Sequence, residues 1–367
     1  MASAMQDLEP INFTRGVPAI ESFPVADIAE AARAVIEHHG ASVLQYGPAL
    51  GLAPWRDWIG QWQGVQSNQV LTGNGSLELV DFLCTHIISP GDPIFLESPS
   101  YDRAITLFRR HRADLTAIPL EADGPDISVI ESALKKRAPK FFYLIPDFQN
   151  PSGATCSTAK RQRIVELAEQ YNFLLLEDAP YRLLRYRGNP EPSLFSMAPH
   201  RVLHMSSFTK LIAPGLRAGF MLGNAEVLTR IARIAEDTYI SPGYLAQGIA
   251  YEWCRQGLLD PQIERLKSLY SPRLDACNSA IEQHMPEARA TRPDGGFFVS
   301  IQLPEGTSTT GVRAAAAKHN LNLSDGLGFF PGAGGERFLR LPFCALTPEQ
   351  IDDGVTRLAL AVKETAR

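Results

Sequence analysis

The chain has 367 residues, 45% of them hydrophobic and 20% charged, which is material for one large domain and a smaller one. A formal charge of −5 without any Lys/Arg block excludes a nucleic-acid footprint, and the apolar runs are strand-sized, far short of a membrane span. The opening MASAMQDLEP shows no basic or apolar leader pattern, and five scattered cysteines (Cys84, Cys156, Cys254, Cys277, Cys344) fit free thiols in a reducing cytoplasm.

In chain order, the first strand expected is Gln69–Leu71. A Gly-rich turn, Thr72-Gly73-Asn74-Gly75, then opens a helix over Ser76–Ile88, whose free N-terminal amides favour a phosphate. Next come a strand at Pro93–Glu97, a helix at Asp102–Arg110, and strands at Leu115–Pro119 and Lys140–Ile145. The turn Asn150-Pro151-Ser152-Gly153 leads into a helix over Ser157–Tyr171. Strands at Phe173–Leu176, Val202–Met205 and Gly219–Leu222 and a helix at Glu226–Asp237 complete this part. The alternation predicts an α/β fold, a three-layer large domain around a mainly parallel seven-stranded sheet, with ligands beyond the carboxyl ends of its strands. After about Asp260, a long helix through Leu269–Glu287, the run Gly295–Ile301, a helix near Thr310–His319 and Arg337–Leu341 predict a smaller α+β domain. The division expected is residues 1–45 joining the small domain, 46–260 as the large ligand-binding domain and 261–367 as the small C-terminal domain.

The most informative stretch is Ser206-Ser207-Phe208-Thr209-Lys210-Leu211-Ile212-Ala213-Pro214-Gly215-Leu216-Arg217-Ala218-Gly219. A lysine just past a buried strand can be desolvated, which favours the neutral amine that attacks an aldehyde. Hydroxyls before it and an arginine seven residues after it suit a phosphate dianion. Alone, each of Asn150, Asp178 and Tyr181 reads as an ordinary strand-to-loop residue.

Together these residues resemble the lysine motif and its companions in fold-type I pyridoxal-phosphate enzymes. The likeness is to the class I/II aminotransferase family, in the 2-aminoadipate and aromatic aminotransferase-like subgroup without a helix-turn-helix domain. The resemblance implies pyridoxal 5′-phosphate held by Lys210 as a Schiff base, with Asp178 at its pyridine nitrogen and Asn150 and Tyr181 at its phenolic oxygen. It assigns the phosphate to Gly75, Ser76, the backbone of Leu77, Ser207, Thr209 and Arg217, and stacking on the ring to Tyr101. Tyr46 would reach the phosphate of a neighbouring subunit, making shared sites in a homodimer. Arg340 would bind the substrate α-carboxylate with Asn150 beside it. The segment Ile11–Pro18 resembles the one that lines the substrate pocket, placing Arg15 and Gly16 there, and Arg15 and Glu21 near its entrance leave open a polar or charged substrate side chain. The activity implied is reversible transfer of an α-amino group between an L-amino acid and a 2-oxo acid, in two half-reactions through pyridoxamine phosphate.

The same scaffold supports amino-acid oxidation, elimination and cyclisation, and the cofactor-binding residues do not separate these outcomes. A nicotinamide-binding module is a more remote reading of Gly73-x-Gly75 with Glu97 downstream, since the third glycine is replaced by Glu78. No metal site is expected, because His200 and His204 straddle the start of a strand with no carboxylate between them.

Overall fold

Short apolar runs that cannot hide one face in water become strands covered on both sides. The computed structural model describes residues 9–366; Met1–Leu8, within the stretch read for a leader, and Arg367 lie outside the described residues. In chain order the strands are β1 (Ile11–Phe13), β2 (Val70–Gly73), β3 (Pro93–Ser98), β4 (Asp114–Glu121), β5 (Gly124–Pro125), β6 (Phe141–Leu144) and β7 (Leu174–Asp178). They continue as β8 (Val202–Ser207), β9 (Gly219–Leu222), β10 (Arg289–Ala290), β11 (Phe298–Gln302), β12 (Leu321–Leu323) and β13 (Phe338–Pro342).

The central sheet has the order β2-β9-β8-β7-β6-β3-β4-β5. Only β9 and β5 run against the rest, so the sheet is mainly parallel. Its eighth strand, β5, is a two-residue stub on the edge of β4, too short to leave an apolar pattern in the sequence. Every residue of β6 is buried, and its aromatic run packs edge-on: Phe108 lies 5.5 Å from Phe141 and 5.4 Å from Tyr143. The flanking helices start where side chains offer caps. Ser157 accepts from the amide of Lys160, and Asn224 from those of Glu226 and Val227.

Two buried apolar cores organise the molecule. The larger surrounds the central sheet. The smaller gathers β11, β12 and β13 with the helices Thr309–Lys318 and Pro348–Thr365. The described part of the N-terminal segment, residues 9–45, divides between them: Ile11 and Phe13 join the smaller core, whereas Ala31 of the helix Val25–Val43 joins the larger. The reason is local fit. Val35 and Val43 lie over Gly248 of the helix Tyr244–Arg255, where a Cβ would come within 3.1 Å of either side chain. The helix Leu259–His284 crosses between the cores, with Leu266 and Tyr270 in one and Leu274 and Cys277 in the other. Among the described residues no helix is long and apolar enough to cross a membrane.

Two features fix the loops at the carboxyl edge of the sheet. Trp55, Trp58 and Trp62, at helical spacing on Ala53–Gln63, form one aromatic face; Trp55 lies 4.8 Å and Trp62 5.8 Å from Phe208, which anchors the turn carrying Lys210. Arg161 is fully buried and donates to the carbonyls of Cys156 (2.8 Å), Pro192 (3.0 Å) and Pro146 (2.8 Å) and to Asp147 (2.9 Å). Arg182 donates to the same Asp147 at 2.9 Å, so one ionic cluster ties the loop bearing Asn150 to the one bearing Tyr181. Removing one partner of such a cluster strands a buried charge, at a cost of about 3–5 kcal/mol. Arg161→Ala should therefore lose about that much stability in urea unfolding at neutral pH; a loss below about 1 kcal/mol would mean the cluster is not what holds these loops.

Candidate active site

Six strands end on the same edge, and the loops after five of them, β2, β3, β6, β7 and β8, line a cavity of about 550 Å³. Of the residues singled out above, Arg15, Gly16, Gly75, Ser76, Leu77, Tyr101, Asn150, Asp178, Tyr181, Ser207, Thr209, Lys210, Arg217 and Arg340 all line it. Tyr46 does not; its side chain stands out from the chain, 71% exposed. Glu21 also lies elsewhere, bound to Arg273 of the helix Leu259–His284.

Asp178 ends β7 and is 7% exposed. Its Oδ2 accepts a 2.7 Å hydrogen bond from the Tyr143 hydroxyl, while Oδ1 is buried with no partner among the described residues. Burial pushes the carboxyl up to about 6, against the hydrogen bond from Tyr143 and the nearby His204, both of which lower it. Behind Asp178, His204 Nδ1 lies 2.8 Å from Glu177 Oε2, and Glu177 also accepts from the amides of Leu194 (2.9 Å) and Phe195 (3.1 Å). His200 meets Glu169 on the surface, so the two histidines weighed as metal ligands serve separate carboxylates.

Lys210 follows β8 in a tight turn, with the amide of Ile212 donating to the Phe208 carbonyl at 2.8 Å. Phe208, Leu211 and Ile212 are buried, which turns the lysine inward. Its Nζ donates to the Gly16 carbonyl at 3.0 Å and lies 5.6 Å from the Phe297 ring and 6.0 Å from that of Tyr181. Desolvation holds the amine below its ordinary range, with the positive charge of Arg340 acting the same way.

Arg340 lies in β13, 8% exposed, and donates to Asn150 Oδ1 and to the Thr14 carbonyl, both at 2.8 Å. Its guanidinium is sandwiched between Phe298 (4.8 Å) and Phe329 (4.5 Å), and Nε is buried without a partner. Among the described residues it has no carboxylate within salt-bridge range, unlike an ordinary surface arginine. Arg337, three positions earlier, turns away and donates only weakly to the Leu303 carbonyl at 3.4 Å.

At the opposite end of the cavity, Gly75 (φ +115°) precedes the first turn of the helix Ser76–Ile87. Arg217 packs over it, its guanidinium 2.6 Å from where a Cβ on Gly75 would stand, and donates to the Asn74 carbonyl at 2.8 Å. Gly219 is required for the same close fit, because a Cβ there would lie 2.5 Å from the Ser76 nitrogen. Free amides, an arginine and the hydroxyls of Ser207 and Thr209 thus converge at a helix N-terminus. Tyr101 lines the wall between these two ends, its hydroxyl pushed up to about 12 by burial.

Sequence reasoning passed over Tyr143, Phe298 and Phe329, which are hidden in apolar or aromatic runs and show no polar signature. Two other residues close the nicotinamide reading. β2, which precedes the Gly73-x-Gly75 turn, pairs only with the antiparallel β9, outside any βαβ unit. Glu97, needed for a ribose, is buried, accepts from the Ile145 amide at 3.0 Å and is pushed up to about 8 by desolvation.

The model of the aminotransferase class I and II family matches residues 9–358. The chain is 35% identical over 358 residues to the 2-aminoadipate transaminase of Thermus thermophilus, covering 96% of this chain and 90% of that protein. It is 33% identical to aromatic-amino-acid aminotransferase 1 of Thermococcus litoralis, covering 96% and 88%. Among solved structures it is similar to the α-aminoadipate aminotransferase of Thermus thermophilus complexed with N-(5′-phosphopyridoxyl)-L-leucine. The TM-score is 0.93 at 33% identity, over 99% of this chain and 97% of that one.

The raised carboxyl of Asp178 has a measurable consequence without any ligand. The folded state keeps a proton there that the unfolded chain, near 3.8, has released, so the group lowers stability as pH rises from 3.8 through 6. The difference corresponds to about 3 kcal/mol once both states are ionised. In the cofactor-free protein, Asp178→Asn should therefore raise stability at pH 8 by up to about 3 kcal/mol, with the gain shrinking towards pH 4. A variant less stable than wild type across that whole range would contradict the burial argument.

Proposed function

This chain belongs to the aminotransferase class I and II family and is a pyridoxal 5′-phosphate-dependent aminotransferase; from that premise we propose that the cavity around Asp178 and Lys210 is its active site. The observation that carries the reading is the orphaned Asp178 Oδ1. A buried carboxylate with one oxygen bonded and one bare calls for a cationic N–H, and a protonated pyridine nitrogen supplies it. The residues fit the rest of the cofactor as well. Gly75, Ser76, Leu77, Ser207, Thr209 and Arg217 would hold its phosphate, Tyr101 its ring face, and Asn150 and Tyr181 its phenolic oxygen. When bound, pyridoxal phosphate supplies the electron sink that stabilises negative charge at the substrate α-carbon.

The chain's own residues do the remainder. Arg340 fixes the α-carboxylate in its planar fork, with Asn150 holding the guanidinium in register. That places the α-hydrogen towards Lys210, whose depressed amine takes the proton as a base and returns it as an acid. Phe298 and Phe329 cover Arg340 and keep water from the bond being broken. Asp178, ionised once its counter-charge arrives, keeps the sink protonated. Amino transfer then proceeds in two half-reactions at one site.

The composite site of a homodimer belongs to the same reading. Tyr46 stands clear of its own cavity, and Leu44, two residues before it, is likewise an exposed apolar side chain (68%), which a second copy would cover. Tyr46→Phe and Lys210→Ala chains, each inactive alone, should regain part of the activity when mixed, through one intact site per mixed dimer. Full activity in a monomeric protein would refute the shared site.

The reaction is tested by adding an amino acid to the purified holoenzyme without any oxo acid. The cofactor absorbance should shift with release of one equivalent of 2-oxo acid, and a second oxo acid should restore it. Sustained turnover that consumes oxygen or releases ammonia would make the enzyme an oxidase or a lyase. Lys210→Ala should lose the covalent link that borohydride fixes and slow the shift by at least about 10²-fold.

A further inference from the structure

Asn150 lines the cavity, and the residue before it, Gln149, does not; its side chain is buried, 1% exposed. Burying a primary amide is unfavourable unless its hydrogen-bonding groups are met, and here all four are. Nε2 donates to the Pro99 carbonyl at 2.8 Å and to Glu97 Oε2 at 3.2 Å. Oε1 accepts from the amide of Ser152 at 2.9 Å and from its hydroxyl at 2.7 Å. The Pro99 carbonyl can only accept and the Ser152 amide can only donate, so the Gln149 amide has a single orientation. An apolar residue of the same volume would fill the space without fixing that direction.

These bonds join two walls of the cavity. Pro99 leads into Tyr101, and Ser152 closes the turn that carries Asn150. The far side of the turn is fastened to the smaller sheet, because the Ser152 carbonyl accepts from Thr291 Oγ1 at 2.7 Å and from Ser300 Oγ at 3.1 Å. Ser300 pairs across β11 and β13 with Arg340, which donates to Asn150 Oδ1 at 2.8 Å. An arginine only donates, so Asn150 presents its oxygen there and keeps its NH2 for an acceptor in the cavity.

We propose that Gln149 is a positioning residue for the reaction: by locking the turn from Asn150 to Ser152 against the Tyr101 loop, it sets where the Asn150 NH2 meets the cofactor's phenolic oxygen. This rests on the active-site reading above, which places Asn150 at that oxygen. A hydrogen bond donated to the oxygen favours its anionic form. A well-placed Asn150 therefore lowers the pH at which the cofactor joined to Lys210 loses its proton, and a displaced Asn150 raises it. Gln149 touches no ligand, so its effect on that proton passes through Asn150.

The absorbance of the holoenzyme, titrated with pH in the absence of any substrate, reads this proton. Asn150→Ala should raise the midpoint by roughly 0.5–1. Gln149→Met, similar in length and volume, should raise it by about half as much or more. In the Asn150→Ala protein, Gln149→Met should move the midpoint no further, a result that a general loosening of the fold would not give. Ser152→Ala removes one of the four bonds and should give a smaller rise, again absent beside Asn150→Ala; it decides the matter if Gln149→Met does not fold. An unmoved midpoint in these variants, or a rise that persists in full beside Asn150→Ala, overturns the proposal. If Asn150→Ala moves the midpoint and the Gln149 and Ser152 variants do not, the proposal alone fails. If Asn150→Ala itself leaves the midpoint where it was, the placement of Asn150 at the phenolic oxygen fails, and the role of Gln149 falls with it.

Discussion

A carboxylate taken out of water with only one of its oxygens satisfied is the constraint on which the site depends. Asp178 is that group: Tyr143 holds Oδ2, Oδ1 is bare, and burial raises the acid to about 6. Left alone, such a group weakens the fold, and the structure tolerates it because the site is built for a positive partner. His204 and Glu177 behind it form a fully buried pair that cannot rotate away, because Glu177 is pinned by the Leu194 and Phe195 amides. The position of the bare oxygen is thus set by three adjacent parallel strands, β6, β7 and β8.

Around this point the loops are held by interactions of two kinds. Packing fixes the turn carrying Lys210, through Phe208 against the tryptophan face and through glycines that admit no Cβ. Ionic clusters fix the loops carrying Asn150 and Tyr181, through Arg161, Asp147 and Arg182. The N-terminal segment is then drawn over the cavity by its carbonyls, with Thr14 held by Arg340 and Gly16 by Lys210. The two residues proposed to handle substrate thus also fasten this segment over the cavity.

Much of this could be read before the fold was known, and the reasons differ by residue. Seven strands of the central sheet were legible as short apolar runs ended by turn residues, β5 being too short to leave one, and the helix over Asp102–Arg110 falls where its pattern put it. The Lys210 turn stood out because hydroxyls, lysine and arginine lie within twelve residues of one another. Tyr143 was hidden, since in Phe141-Phe142-Tyr143 its ring packs like its neighbours and only its hydroxyl matters, bonded to a residue 35 positions away. Glu21 misled for the same reason: its partner Arg273 is 252 residues distant. Arg340 and Arg337 could be told apart only by context, whereas in the structure Arg340, within β13, bonds Asn150 and Arg337, just before the strand, donates to the Leu303 carbonyl. The helix Val25–Val43 went to the larger core because a glycine on a distant helix makes room for its valines, a fit that no local pattern records.

The central claim is that Asp178 exists to hold a protonated ring nitrogen, and nitrogen magnetic resonance on the bound cofactor reads that proton directly. With pyridoxal phosphate labelled with ¹⁵N in its ring and loaded into the enzyme at pH 8, the shift should report a protonated nitrogen in wild type and an unprotonated one in Asp178→Asn. An unprotonated nitrogen in wild type, or the same shift in both proteins, would contradict the account.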